Sequence, residues 1–364
     1  MTFFLCGDVM TGRGIDQILP HPSPPRIYEP VVRDARMYVA LAEDVNGSVP
    51  RPVAPSYIWG DALDELTHVA PAARIVNLET SVTRSEDAWP KGINYRMHPA
   101  NVACLIVAGI DVCVLANNHV LDYGPVGLLE TLETLDRARL TKTGAGRTLA
   151  EARAPAVVDL ADDRRVVVHG TGTETSGIPP GWAATDDLAG VDLLSDLSDE
   201  TAAAVAARVG RSKRSGDVTV ASIHWGTNWG YEVPPAHVRF ARRLIDGGID
   251  VVHGHSSHHP RPIEVYGNRL ILYGCGDFIN DYEGIFGHEE YRADLTLMYF
   301  PTFDAASGEL SELRMTPMQL RKLRLNRAAP PDAMWLRDRL ARISLEFRSQ
   351  VEASDDGSLL LRWH

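Results

Sequence analysis

The stretch IDVVHGHSSHHPRP (residues 249–262) joins a short apolar run to a loop crowded with imidazoles. His253, His255, His258 and His259 fall within seven positions. Solubility does not require them, and a core would rather avoid them. A brief apolar run that stops at a polar, Gly-containing loop reads as a buried strand. Whether its histidines hold a metal, move protons or only decorate a loop depends on what the rest of the chain brings to them.

The same pattern recurs along the chain. Apolar runs at 2–6, 73–77, 111–116 and 218–223 lead into GDVMTGRG, LETSVT, NNHVLDYG and HWGTNWGYE. Helical patterns separate them. Residues 127–140 carry Leu128, Leu132, Leu135 and Leu140 at helical spacing, 199–209 are Ala-rich, and 235–248 open with Pro and close with Gly. Strands alternating with helices predict an α/β fold. The later part changes character: PIEVYGNRLILYG predicts a hairpin turning at Gly267 and Asn268, and ADLTLMYF and GELSELRMTPM predict antiparallel strands. The sheets are therefore expected to be mixed. Residues 332–347 read as an amphipathic helix and 358–363 as a final edge strand.

One catalytic domain is expected over 1–320, with 321–364 packed on it as a helix and a strand. Pro-rich segments near 20–30 and 49–57 bracket a helix-like run. They mark an insertion at about 20–58, read either as a surface excursion or as a lid over the mouth of the first strand.

The chain has 364 residues, 45% hydrophobic and 23% charged, enough for a sizeable core. Its net charge of −12 argues against nucleic acid. The densest basic run, RVGRSKR at 208–214, has no aromatic residue. MTFFLCGD lacks a basic leader and has only four apolar residues in a row, so it reads as a strand and not as a signal or an anchor. No membrane contact and a cytoplasmic location are expected. Cys6, Cys104, Cys113 and Cys275 are scattered in apolar surroundings and read as reduced core thiols.

Five loops carry one chemistry: Asp8; Asn77 and Glu79; Asn117, Asn118, His119 and Asp122; His224; then His255 and His258. Taken singly, such residues cap helices or satisfy cores. Five strand ends with the same donor types are hard to explain by capping, because open α/β folds collect ligands there. Carboxylate, amide and imidazole donors suit one divalent cation, Ca²⁺ or Mg²⁺ first, then Mn²⁺ or Zn²⁺. No organic cofactor is expected.

The motifs GDVMTGR, NLETSVT, NNHVLDYG, HWGTNWGYE and GHSSHHPRPIEVYGNRLILYGCGDF stand in the order seen in the CapA family, named for poly-γ-glutamate capsule synthesis. The resemblance covers about residues 1–300. It implies a calcineurin-like metallophosphoesterase fold, a four-layer α/β/β/α sandwich with its site where the loops of two sheets meet. Asp8, Glu79, Asn118, His224, His255 and His258 match family metal-site positions, and His119 matches its catalytic histidine. Two-metal phosphoesterases usually open with Asp-x-His. Here Val9 and Met10 follow Asp8, and Glu79 replaces the usual bridging Asp, so a single cation is expected.

The remaining His and Asp residues suggest proton transfer. His119 and Asp122 are three apart, and Asp277, His258 and His288 add further carriers. Two His–Asp pairs on opposite faces of a carbon acid would make a two-base epimerase. The CapA-like group includes epimerases that invert the Cα of the C-terminal residue of ribosomally made, lasso-type peptides. The resemblance implies such a peptide substrate, with Trp225 and Trp229 against its terminal side chain and Arg13 and Arg96 on its carboxylate. Metal-dependent phosphoester hydrolysis and a polymer-handling role in capsule synthesis are the alternatives.

Overall fold

The computed structural model describes residues 1–304 and 307–363. The N-terminal apolar run is strand β1 (Phe3–Val9), buried over its whole length. β2 (Ala73–Leu78), β3 (Val112–Val114) and β4 (Thr141–Thr143) follow, each parallel to the one before. The chain then enters a second sheet with β5 (Ala156–Asp159), β6 (Arg165–Gly172), β7 (Val218–His224) and β8 (Val251–His255). The hairpin β9 (Ile263–Tyr266) and β10 (Arg269–Leu272) turns where the Gly267-Asn268 pair predicts it. β6, β7, β8 and β10 are parallel neighbours, while β5 and β9 close the sheet as antiparallel edges.

The chain returns to the first sheet with β11 (Asp277–Ile279), β12 (Leu295–Phe303), β13 (Leu310–Leu320) and β14 (Leu325–Arg327). It ends in the hairpin β15 (Ser349–Ala353) and β16 (Leu359–Trp363). Among the described residues the first sheet has ten strands and the second six, and both are mixed. The C-terminal strand is not the edge that its sequence suggests. β16 lies between β13 and β15, and β15 takes the edge with its alternating buried and exposed side chains. The preceding helix spans Pro330–Ile343, shorter than predicted, because a 3-10 turn at Leu345–Phe347 interrupts it.

Side-chain alternation along the strands builds the layers. Phe3, Leu5, Ile75 and Val112 of the first sheet pack against Val168 and Val220 of the second. The opposite face of the first sheet, with Phe4, Val76 and Cys113, meets Leu66, Leu128 and Leu132 of the helices Ala62–Val69 and Gly124–Arg137. The outer face of the second sheet, with Ile223 and Val252, meets Val205 and Phe240 of Asp199–Ser212 and Pro235–Asp246. The order is helices, sheet, sheet, helices. All four cysteines are free and buried. No helix among the described residues is long and apolar enough to cross a membrane.

Two features position the site. First, β1 changes neighbours along its length. Leu5 faces Tyr299 of β12, but Asp8 faces Asp277 of β11 on one side and Asn77 of β2 on the other. The swap requires residues 275–276 to press against β1, which only glycine permits. A Cβ on Gly7 would sit 1.6 Å from the Gly276 carbonyl oxygen. Second, the insertion packs down and does not hang free. Its helix Arg36–Asn46 lays Tyr38 against Gly14, and Trp59 donates from Nε1 to the Cys104 carbonyl at 2.7 Å.

Gly7→Ala should therefore destabilise the fold by about 3 kcal/mol or more in chemical denaturation. Gly181→Ala, where a Cβ meets nothing within 4 Å, should stay within about 0.5 kcal/mol of the parent. Equal stabilities would show that the Gly7 contact is not a constraint.

Candidate functional site

The parallel strands of both sheets end at one level, so their last residues meet. Asp8 stands near the end of β1, and His224 and His255 end β7 and β8 as register partners. These three buried residues each offer a ligand atom within 4.8 Å of the others. The period of two puts Ser222 on the same face as His224, and His253 on the same face as His255. The Ser222 hydroxyl meets His253 Nδ1 at 3.0 Å and His255 Nε2 at 2.9 Å, which fixes both rings. His255 then turns Nδ1 toward His224 Nδ1, 2.7 Å away. Asn118 Oδ1 lies 3.0 Å from His224 Nε2, and Glu79 Oε1 lies 4.0 Å from it.

Asp8 accepts from Asn77 Nδ2 at 2.7 Å and from the Ser256 backbone N–H at 3.1 Å. Ser256 holds φ at 101°, a conformation that favours glycine, so the backbone is strained where it turns that N–H onto the carboxylate.

The charge balance asks for a cation. Burial and the neighbouring Asp277 push the Asp8 carboxyl up to about 7. Burial and Asp8 hold Glu79 well above the usual carboxylate range. Burial drives His224 and His255 well below theirs, leaving neutral rings with free lone pairs. Asp8, His224 and His255 are thus the residues that would hold a divalent ion, with Glu79 and Asn118 beside them. No thiolate competes, since burial raises the Cys6 and Cys275 thiols. Two imidazoles and a carboxylate are donors that a divalent cation accepts.

Two His–Asp pairs flank this cluster. His119 Nδ1 lies 2.6 Å from Asp122 Oδ2, and Lys91 Nζ holds the other oxygen of Asp122 at 2.7 Å. His119 Nε2 faces Glu79 Oε1 at 3.8 Å. Burial lowers His119 to about 4 in spite of Asp122, with Lys91 adding to the effect. His258 Nδ1 lies 2.8 Å from Asp277 Oδ1, and the Asn228 amide meets its Nε2 at 2.9 Å. Burial opposes charge on His258 too, but Asp277 outweighs it and raises the group. Tyr95 stacks over His119 with ring centres 4.0 Å apart, Tyr282 packs edge-on to His258 at 5.3 Å, and the two phenol oxygens are 2.7 Å apart. The pairs are therefore linked ring to ring.

A cavity of about 770 Å³ opens beside His258, with Tyr95, Trp229 and Tyr282 in its lining. His119 does not line it, because Tyr95 stands over the imidazole. The insertion contributes Tyr38, Val45 and Asn46 to one wall.

Other expected residues fall elsewhere. His288 lines the cavity, is exposed and stacks on Trp229 at 4.0 Å, and among the described residues no hydrogen bond or ion pair joins it to an aspartate, so it forms no His–Asp pair. Trp225 is a core residue: its Nε1 donates to the Tyr273 carbonyl and its ring stacks on His237, so it is not placed to meet a substrate. Arg96 donates to the Ser85 and Pro24 carbonyls and lies away from the cavity. Arg13 lines the cavity, but Glu29 and Asp281 already hold its guanidinium, so it has no free fork for a substrate carboxylate. His253 and His259 also turn inward, onto the Cys6 and Pro260 carbonyls.

Reading the sequence missed Lys91, Tyr95, Ser222, Asn228 and Tyr282. Ser222 was findable, two residues before His224 on a strand. The others sit in loops without periodicity and carry no such signal.

A divalent ion should raise the melting temperature, by about 2.7 kcal/mol of stabilisation at a hundredfold excess over Kd. Asp8→Asn or His255→Ala should remove the effect. Because the ion competes with the proton on Asp8, affinity should rise from about pH 6 to about pH 8, measured by calorimetry. A melting temperature indifferent to Mn²⁺, Zn²⁺, Ca²⁺ and Mg²⁺ alike would remove the metal site.

Relatives bear on this geometry. Residues 2–282 match the family model described as bacterial capsule synthesis protein PGA_cap. A Mycobacterium tuberculosis protein named "probable polyglutamine synthesis accessory protein" is 49% identical, over 99% of this chain and 95% of its own. The PGA biosynthesis protein CapA of Bacillus subtilis is 29% identical over 56% of this chain and 52% of its own. Among solved structures, a 5'-nucleotidase precursor from Thermus thermophilus aligns with a TM-score of 0.46 and 14% identity, over 88% of this chain and 54% of the nucleotidase. With the motifs in order and a family match over most of its length, the chain belongs to the PGA_cap family of bacterial capsule synthesis proteins.

Proposed function

We propose that this protein is a metal-organised acid–base enzyme that inverts a carbon next to a carbonyl. The carbon we assign is the Cα of the C-terminal residue of a ribosomally made, lasso-type peptide. The observation that carries the reading is the pair of His–Asp units, His119–Asp122 and His258–Asp277, whose surroundings shift the two imidazoles in opposite directions. Neighbouring groups pushed apart in this way mark a base and an acid. Neutral His119, its Nδ1 fixed by Asp122, takes the Cα proton at Nε2, which lies on the Glu79 side of Tyr95, so the terminal carbon must pass Tyr95 to reach it. The C–H electron pair moves into the carbonyl to give an enolate. His258, its Nδ1 fixed by Asp277, which favours the charged ring, returns a proton to the opposite face of that carbon when it carries one. Solvent exchange resets both rings. A bound cation supplies fixed positive charge beside the developing oxyanion.

A second reading, phosphoester hydrolysis, draws on the convergence of Asp8, His224 and His255. It is weakened where a second metal would need a histidine: Met10 is there, with the Tyr282 hydroxyl 3.6 Å from its sulfur. A role in making or handling a glutamate polymer rests on the names of the relatives.

Peptide incubated with the protein in heavy water should gain deuterium at the terminal Cα without loss of mass from cleavage. His119→Ala and His258→Ala should each slow exchange about 100-fold or more, read by mass spectrometry. Phosphate release from a generic phosphodiester with no Cα exchange would overturn the reading in favour of the hydrolase.

A further inference from the structure

The cavity beside His258 shows what kind of chain can lie there. Its buried side presents the rings of Tyr38, Tyr95 and Tyr282. Its open side presents Val45, Ile93, Ile285 and Phe286, exposed by 56%, 45%, 47% and 80%. Large apolar residues left in solvent around one cavity are unusual unless something covers them.

The charges in the lining have the opposite character from a polyanion site. Arg13 is already shared between Glu29 and Asp281. Arg292 is shared between Asp294 and Asp332. The remaining lining arginine, Arg321, donates to Asn46 Oδ1, and the same amide donates to Glu283 Oε1. Glu283 also accepts from the backbone of Lys322 and Leu323, and Glu289 accepts from the Gly287 N–H. Every lining arginine stands beside an acid or an amide that leads to one, so the three arginines and the three lining carboxylates, Glu283, Glu289 and Asp294, leave no arginine free. A chain of carboxylates entering here would lose solvent without gaining an unshared arginine as partner.

We infer that the cavity takes an uncharged peptide segment with aliphatic or aromatic side chains, and excludes polyglutamate. This rests on the proposed peptide chemistry for its placement next to His258. The rings hold the segment by stacking and burial. Ile93, Ile285 and Phe286 close over its outer side. The cavity volume of about 770 Å³ has room for a short peptide segment.

The test is a binding measurement that needs no turnover. The uncharged dye N-phenyl-1-naphthylamine should fluoresce in the cavity of the intact protein. A capped, uncharged tripeptide of isoleucine and phenylalanine should displace it, and poly-L-glutamate should not, even at low ionic strength. Phe286→Ser and Ile93→Ser are exposed changes that leave the core alone. Each should weaken dye and tripeptide by about tenfold. Displacement of the dye by poly-L-glutamate, or dye and tripeptide binding unchanged in both variants, would overturn the inference. If dye and tripeptide bind as described but no peptide exchanges its Cα proton, the reaction falls and the cavity assignment stands. If exchange occurs while the variants bind normally, the reverse holds.

Discussion

Three buried carboxylates, Asp8, Glu79 and Asp277, converge where the two sheets meet, and the fold supplies little positive charge to match them. Everything around the site answers that imbalance. Asn77 and the strained Ser256 N–H donate to Asp8, His258 sits against Asp277, and the neutral rings of His224 and His255 turn lone pairs inward. Buried carboxylates without partners are costly, and a divalent cation is the compact way to offset them. The Gly7 and Gly276 contact is the backbone condition for the arrangement, because it brings β11 alongside β1.

The same imbalance divides the two His–Asp units. Lys91 shares Asp122 with His119, so burial wins and the ring stays neutral. Asp277 has no such competitor, only the Asn280 amide, and pulls His258 toward its charged form. Two similar pairs are thus shifted in opposite directions, burial with Lys91 prevailing at His119 and Asp277 with Asp8 prevailing at His258. Tyr95 and Tyr282 tie the pairs together and also form the inner wall of the cavity. Substrate recognition and proton transfer therefore share side chains.

Much of the scaffold was legible in the residues. Apolar runs ending in polar loops located β1, β2, β7 and β8, and the Gly267-Asn268 turn located the hairpin. Asp8, His224 and His255, which the fold brings together, were legible as well, because each stands at the end of such a run. The roles of Trp225, Arg96 and Arg13 were not. An aromatic or an arginine in a loop reads the same whether it faces a substrate or a carbonyl inside the fold, and here the Tyr273, Ser85 and Pro24 carbonyls and the Glu29 and Asp281 carboxylates take them.

The sequence by itself determined the α/β class, the mixed sheets, the family and the donor types at each strand end, because periodicity and local residue chemistry are short-range properties. Only the tertiary structure decided which histidine faces which aspartate, that Lys91 and Tyr95 belong beside His119, and that His288 stacks on Trp229. Those contacts join residues up to 28 positions apart in the case of Lys91 and His119, and 247 in that of His253 and Cys6. Burial and Coulomb energy depend on distance in space, which no local pattern of residues records.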